Sequence, residues 1–434
     1  MSDMIKIQPA AGPIQSTIRP PGSKSITNRA LPLAALAAGR SVLKGVLNSD
    51  DTQYMIESLR RLGIQIETDW DRDHVTIDGC GGRFPETTSQ LFIGNSGTTI
   101  RFLTAILGFH GGNFRLEGID RMHERPIGAL VDALVQLGGN VYAESEGGCP
   151  PVSIESGRAG GGTIKVKGNV SSQYLSGLLM AAPLASGDIT IEIDGPLISK
   201  PYVTMTIEVM KSFGVQVQSN ESLSHFQIGG DQAYVASDYE IEPDASAASY
   251  FWGAAAICGG TATVQGLGRD SLQGDVGFVD CMQQMGCQVT WGSDGITVAG
   301  PATIGIDVDM SNVSDTVQTL ASVALFVDGA TTVRNVAHNR VKETDRIGNL
   351  AIELRKFGVK VDEHPDGLTI HPQPLGPATI ETYDDHRMAM SLALVGLKQS
   401  EVEILDPGCV AKTYPNYFAD LQKFVSSVDE SLND

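Results

Sequence analysis

The chain has 434 residues, 41% of them apolar, which is more than one hydrophobic core usually organises and predicts two folded domains. Its 31 basic and 51 acidic residues give a net charge of −20, which excludes nucleic acid and an anionic membrane surface as expected partners. No window approaches the roughly eighteen consecutive apolar residues of a membrane span.

The opening Met1-Ser2-Asp3-Met4-Ile5-Lys6 lacks the basic-then-apolar layout of a signal peptide, so a cytoplasmic location is expected. Two short strands come first, Ile5-Lys6-Ile7 and Thr17-Ile18-Arg19, read as a hairpin about the turn Ala11-Gly12-Pro13. From there one unit recurs. A helix of small apolar residues runs to a glycine and into a short strand at 33–43, 103–116, 178–191, 254–264 and 320–333, and again without the glycine at 392–404. The glycines fall at 39, 112, 187, 260 and 329, a period of roughly 70 residues. Within each period a longer amphipathic helix closes at Gly63, Gly138, Gly214, Gly286 or Gly358 before a valine or isoleucine strand, a polar turn and another strand. Glycine supplies the left-handed backbone that ends a helix, which explains its place there. The last copy ends after a helix at 417–424 with no hairpin, so the N-terminal hairpin is expected to complete it. Three units per domain place one domain at 22–240 and the other at 1–21 and 241–434, with the chain crossing twice.

The entries to the first helix of each unit are polar: Gly22-Ser23-Lys24-Ser25, Gly94-Asn95-Ser96-Gly97, Val170-Ser171-Ser172-Gln173, Asp244-Ala245-Ser246, Ser314-Asp315-Thr316 and Asp384-Asp385-His386-Arg387. Helix N-termini favour anions, although Ser, Asp and Asn are also ordinary N-caps, and capping suffices for Asp244-Ala245-Ser246. Capping does not explain Lys24, Arg29, Arg101, Arg125, Lys342, Arg346, Arg387 and Lys412, because a cation in a first turn opposes the helix dipole. Their recurrence points to a site for polyanionic ligands carrying phosphates and carboxylates. Neither a G-x-x-x-x-G-K-[ST] loop nor a strand-linked G-x-G-x-x-G is present, and no His-Glu-x-x-His or CxxC spacing occurs. No nucleotide, metal or other cofactor is therefore expected, and the six scattered cysteines are read as reduced.

The ordered set Pro21-Gly22-Ser23-Lys24-Ser25, Asn28-Arg29-Ala30, Gly94-Asn95-Ser96-Gly97-Thr98, Glu124-Arg125-Pro126, Ser171-Ser172-Gln173-Tyr174, Arg340-Val341-Lys342-Glu343-Thr344-Asp345-Arg346, Asp385-His386-Arg387-Met388 and Ala411-Lys412-Thr413-Tyr414 resembles the enolpyruvylshikimate phosphate synthase family. The resemblance implies an α/β fold of two domains, each of three βαβαββ units, the inverse α/β arrangement of enolpyruvyl transferases. It implies transfer of the enolpyruvyl group of phosphoenolpyruvate to the 5-hydroxyl of shikimate 3-phosphate by addition and elimination, in a monomer that glyphosate inhibits at the donor site. By matching motif, Lys24, Ser25, Arg29, Ser171, Ser172, Gln173, Ser199, Tyr202, Asp315, His338 and Lys342 would surround shikimate 3-phosphate. Lys24, Gly97, Arg125, Gln173, Arg346, Arg387 and Lys412 would meet phosphoenolpyruvate. Asp315 would act as base and Glu343 as acid, with Lys24 and Lys342 as proton carriers. Taken alone, Asp315 would read as an N-cap and Glu343 as a first-turn acid.

Three departures stand out: His338 where asparagine is common, Phe102 where proline is frequent, and Pro32 inside a helix that it should kink or delay. Two rivals share parts of the pattern. A transferase acting on UDP-N-acetylglucosamine would carry a cysteine in the loop before its Arg-Pro pair, and residues 111–125 contain none. A non-catalytic sensor of anionic metabolites would need neither Asp315 nor Glu343.

Overall fold

A computed structural model describes residues 3–168 and 171–426; Met1, Ser2 and the Val170 of the third helix entry lie outside the described residues. The chain divides into two compact units, one of Met1–Pro21 with Glu242–Asp434 and one of Gly22–Ile241.

Six sheets follow one pattern. In the first, strands Asp238–Glu240, Ala38–Lys44, His74–Cys80 and Gln65–Asp69 lie in that order, the first pair parallel and the others antiparallel. The sheets centred on Asn113–Glu117, Ile189–Asp194, Gly260–Gln265 and Thr331–Arg334 repeat it. The sixth sets Ala378–Ile380 parallel to Val402–Leu405, with Met4–Lys6 antiparallel on the other side. The N-terminal strands do not form the expected hairpin. Met4–Lys6 joins the sixth sheet, but Ile14–Ile18 pairs in parallel with Gly260–Gln265 of the fourth. The linker's backbone bonds explain the split: Ala10 N donates to Leu397 O, whereas Ile14 N donates to Gly259 O. Only one half of the N-terminal segment completes the last unit, while the other supplies the parallel strand that the fourth unit needs.

The helices are α1 (Lys24–Leu36), α2 (Asp50–Arg61), α3 (Gly97–His110), α4 (Gly128–Gln136), α5 (Ser172–Ala181), α6 (Lys200–Ser212), α7 (Ala245–Cys258), α8 (Phe278–Gln284), α9 (Val317–Val323), α10 (Gly348–Lys356), α11 (His386–Ala393) and α12 (Tyr417–Ser426). Helices α1, α3, α5, α7, α9 and α11 are buried on nearly every face, because their sequences carry small and apolar residues all round. Small residues also bring them close: a Cβ built on Gly177 of α5 would lie 3.1 Å from Arg101 O and 3.2 Å from Ala105 Cβ of α3. The amphipathic helices end as the sequence predicts, with Gly63, Gly138, Gly214, Gly286 and Gly358 at φ of 82 to 99°. Pro32 does not break α1, which runs through it as one element. Among the described residues no helix is long and apolar enough to cross a membrane.

Candidate active site

In the Gly22–Ile241 unit, three buried helices begin side by side. Ser23 caps α1, Ser96 caps α3 and Ser171 caps α5, each hydroxyl accepting a backbone N–H of its own first turn. The entries are tied laterally: Asn28 Nδ2 donates to Thr98 Oγ1 at 2.8 Å, and Arg101 Nη1 donates to Gln173 Oε1 at 2.8 Å. Lys24, Arg29, Arg101 and Arg125 are all buried here. Lys24 Nζ lies 3.7 Å from Asp51 Oδ2. Arg125 donates to Asn95 O and Oδ1 at 2.9 and 3.0 Å.

Arg29 and Arg101 differ from Lys24, because their acceptors are all neutral. Arg29 donates to Thr206 Oγ1, Ser176 Oγ and the carbonyls of Ser25 and Tyr202, with the Phe102 ring 5.2 Å from its guanidinium carbon. Burial pushes its pKa down to about 10, against the pull of Tyr202. Arg101 donates to Gly97 O, Gln173 Oε1 and Pro126 O. Two buried guanidiniums without a carboxylate in contact make this helix-entry surface attractive to anions. Gly97 sits between the guanidiniums: a Cβ there would be 2.5 Å from Arg125 Nη2 and 2.7 Å from Arg101 Nη1. Ser199 precedes α6 in the left-handed region, at φ 52°.

The other unit, which contains Glu242–Asp434, concentrates charge of both signs. Asp315 lies in a 3-10 turn ahead of α9, and its carboxylate meets three cations: Lys342 Nζ at 2.5 Å, Arg387 Nη2 at 2.8 Å and Arg346 Nη1 at 3.4 Å. Arg346 is also held by Asp385 through two parallel hydrogen bonds of 2.7 and 2.9 Å and by Glu343 at 2.9 Å. These carboxylates raise its pKa against the opposing effect of burial. Asp385 in turn caps α11 by accepting from Arg387 N, so one aspartate aligns two arginines. Burial lowers the Lys342 pKa, with Asp315 opposing. Asp275 takes a hydrogen bond from Ser246, and burial together with Asp315 pushes its pKa up to about 6. Lys412 is buried at the end of a 3-10 turn and acts electrostatically on Asp384.

The structure thus gathers Lys24, Ser25, Arg29, Gly97, Arg125, Ser171, Ser172, Gln173, Ser199 and Tyr202 in one unit and Asp315, His338, Lys342, Glu343, Arg346, Arg387 and Lys412 in the other. The capping account of Asp315 fails, because α9 begins at Val317 with Thr316 as its N-cap and the carboxylate goes to cations. Glu343 likewise lies outside the first turn of α10. Asp244 does cap α7 through Ala247 N at 2.8 Å. His338 Nε2 is 2.9 Å from Ser314 Oγ, and burial, followed by Lys342, pushes its pKa down to about 3, so the ring is neutral near pH 7. Asp51, Asp275 and Asp385 have no ligand role in the sequence reading, although Asp385 stands within a quoted motif. Another feature leaves no sequence signal: Tyr383 and Asp384, at φ 56° and 54°, are consecutive left-handed residues at the entry to α11. Such positions cost on the order of 1–3 kcal/mol each and cluster at ligand sites.

The family model described as EPSP synthase (3-phosphoshikimate 1-carboxyvinyltransferase) matches residues 9–421. A chloroplastic 3-phosphoshikimate 1-carboxyvinyltransferase 1 of Nicotiana tabacum is 48% identical, across 95% of this chain and 83% of its own. The 3-phosphoshikimate 1-carboxyvinyltransferase of Trichormus variabilis is 46% identical across 98% and 99%. Among solved structures, an EPSP synthase from Acinetobacter baumannii superposes with a TM-score of 0.80 at 26% identity, over 96% of this chain and 97% of that one. The enolpyruvyl transferase NikO of Streptomyces tendae, at 18% identity and a TM-score of 0.78 over 97% of each chain, shares the fold.

Proposed function

The chain belongs to the EPSP synthase family, the 3-phosphoshikimate 1-carboxyvinyltransferases, and from that premise we propose which of its residues perform each part of the reaction. The reaction moves the enolpyruvyl group of phosphoenolpyruvate to the 5-hydroxyl of shikimate 3-phosphate and releases phosphate, a step of the shikimate pathway. Shikimate 3-phosphate is held by Lys24, Ser25, Arg29, Ser171, Ser172, Gln173, Ser199, Tyr202, Asp315 and Lys342, with neutral His338 able to donate one hydrogen bond to its phosphate. Phosphoenolpyruvate is held by Lys24, Gly97, Arg125, Gln173, Arg346, Arg387 and Lys412. Gln173 accepts from Arg101 through Oε1, which turns its amide NH2 toward a ligand oxygen.

Asp315 removes the 5-hydroxyl proton as that oxygen attacks C2 of the donor, and Glu343 delivers a proton to C3. The tetrahedral intermediate then carries a methyl group at C3. Loss of one C3 proton and of phosphate from C2 restores the double bond, so atoms and charge balance without an external oxidant or cofactor. Lys24 and Lys342 relay protons, a role that the burial-lowered pKa of Lys342 supports. The observation that carries the assignment is the junction at Asp315, where a base, two donor-holding arginines and a lysine meet within hydrogen-bond or ion-pair distance.

We further propose that glyphosate competes for the donor residues and that the chain acts as a monomer. The cytoplasm suits its six free cysteines, whose buried members include Cys281, pushed up to about 12 by burial. Phosphate release with phosphoenolpyruvate and either shikimate 3-phosphate or UDP-N-acetylglucosamine tests the reading: turnover is expected with the former alone, and turnover with the sugar nucleotide would overturn it.

A further inference from the structure

The C-terminal ends of α1, α3 and α5 meet around a cavity of about 180 Å³ in the Gly22–Ile241 unit. Leu36, Phe109 and Leu184 give it an apolar wall, while Arg83 and Arg158 stand at its lining. Among the described residues neither arginine has an ion pair or hydrogen bond. In this chain of net charge −20 several other exposed arginines do have a carboxylate partner, as Arg40 has Asp78, Arg61 has Glu57 and Arg334 has Asp307. None of these lining residues belongs to the reaction described above.

We propose that this cavity is a second ligand site, for a small amphipathic monocarboxylate with a planar or branched apolar body. The apolar wall calls for a hydrophobic group, and two unpartnered guanidiniums suit a carboxylate, which they grip through paired N–H donors. A compact polyanion such as phosphate fits less well, because it has no apolar body to set against Leu36, Phe109 and Leu184 and would leave that wall uncovered. The site is distinct from the transferase residues, which cluster at the opposite, N-terminal ends of the same helices.

Benzoate is the probe. Titrated by calorimetry into the full chain saturated with shikimate 3-phosphate, it is expected to bind saturably with a dissociation constant on the order of a millimolar. Arg83→Ala and Arg158→Ala should each weaken binding by about tenfold, with melting temperature and turnover unchanged, since neither side chain supports the fold. Benzyl alcohol, which keeps the ring and lacks the charge, should bind at least about tenfold more weakly, and inorganic phosphate should not displace benzoate. Non-saturable benzoate uptake, affinity unchanged in both variants, or displacement by phosphate would each overturn the proposal.

Discussion

Gly97→Ala adds one methyl group where the structure leaves no room for it. The ideal Cβ would lie 2.5 Å from Arg125 Nη2 and 2.7 Å from Arg101 Nη1, whereas ordinary contact starts near 3.4 Å, so a guanidinium must retreat by about 0.9 Å. Arg125 is tethered to Asn95 and Arg101 to Gln173 and Pro126, so the retreat disturbs the groups proposed to hold the donor. The backbone has no need of glycine here, because Gly97 opens α3 without a left-handed φ and alanine is the better helix former. Loss of one charge-assisted hydrogen bond costs about 1.5–3 kcal/mol, or roughly ten- to a hundredfold in affinity. The compact donor should sit at the low end of that range and the longer glyphosate at the high end. Michaelis constants for phosphoenolpyruvate and inhibition constants for glyphosate, measured side by side with melting temperature, check it. An unchanged ratio of the two constants, or an equal loss accompanied by a lower melting temperature, would refute the reasoning.

Asp315→Asn should lower kcat by about 10²- to 10⁴-fold with a smaller effect on either KM, read by steady-state kinetics. Arg346→Ala leaves Asp385, Glu343 and Asp315 short of a partner and should destabilise the fold by about 3–5 kcal/mol in urea unfolding, with Arg346→Lys recovering only part because it cannot make the paired bonds to Asp385. Arg387→Ala and Lys412→Ala should raise the KM for phosphoenolpyruvate by more than removal of the exposed pair partner Arg40 does. His338 is held neutral in the folded state down to about pH 3, against 6.5 when unfolded, so its contribution is present above pH 6.5 and is lost on acidification toward pH 3. His338→Gln should therefore flatten the acid limb of stability by up to about 1.4 kcal/mol per pH unit in that window. Asp275, raised to about 6, acts in the opposite sense, losing stability as pH rises through 6, and is common to both proteins, so the difference between them isolates His338.

Much of this architecture could be read from the sequence because repetition made weak local signals add. A glycine such as Gly214 or Gly358 is one helix end among many, but five at matching places reveal a unit, and the unit reveals six equivalent helix entries. Strand partnership was less legible. Ile14–Ile18 looks like half of a hairpin because only nearby partners can be seen in a sequence, and its true partner, Gly260–Gln265, is far along the chain. The cations of the site are visible in the sequence because they recur near the helix entries, although only Lys24 and Arg387 stand in a first turn against the dipole. Arg29 and Arg101 lie further along α1 and α3, Arg125 and Arg346 precede α4 and α10, and Lys412 closes a 3-10 turn. The acids that align them are not visible. Asp385 resembles any N-cap, and nothing local tells that its carboxylate also clasps Arg346 or that Asp51 approaches Lys24. Arg101 has no role in the sequence beyond its place among these cations; its hydrogen bond to Gln173 supplies one.

The central claim is that the chain's acids and lysines add a proton to C3 of the donor and later remove one, through a methyl-bearing intermediate. Incubating the enzyme in deuterium oxide with phosphoenolpyruvate and shikimate 3-phosphate, and recovering both donor and product for mass spectrometry, tests it most directly. Deuterium should appear at C3 only when the acceptor is present, and far more slowly with Glu343→Gln; product formed without deuterium at C3 would contradict the account.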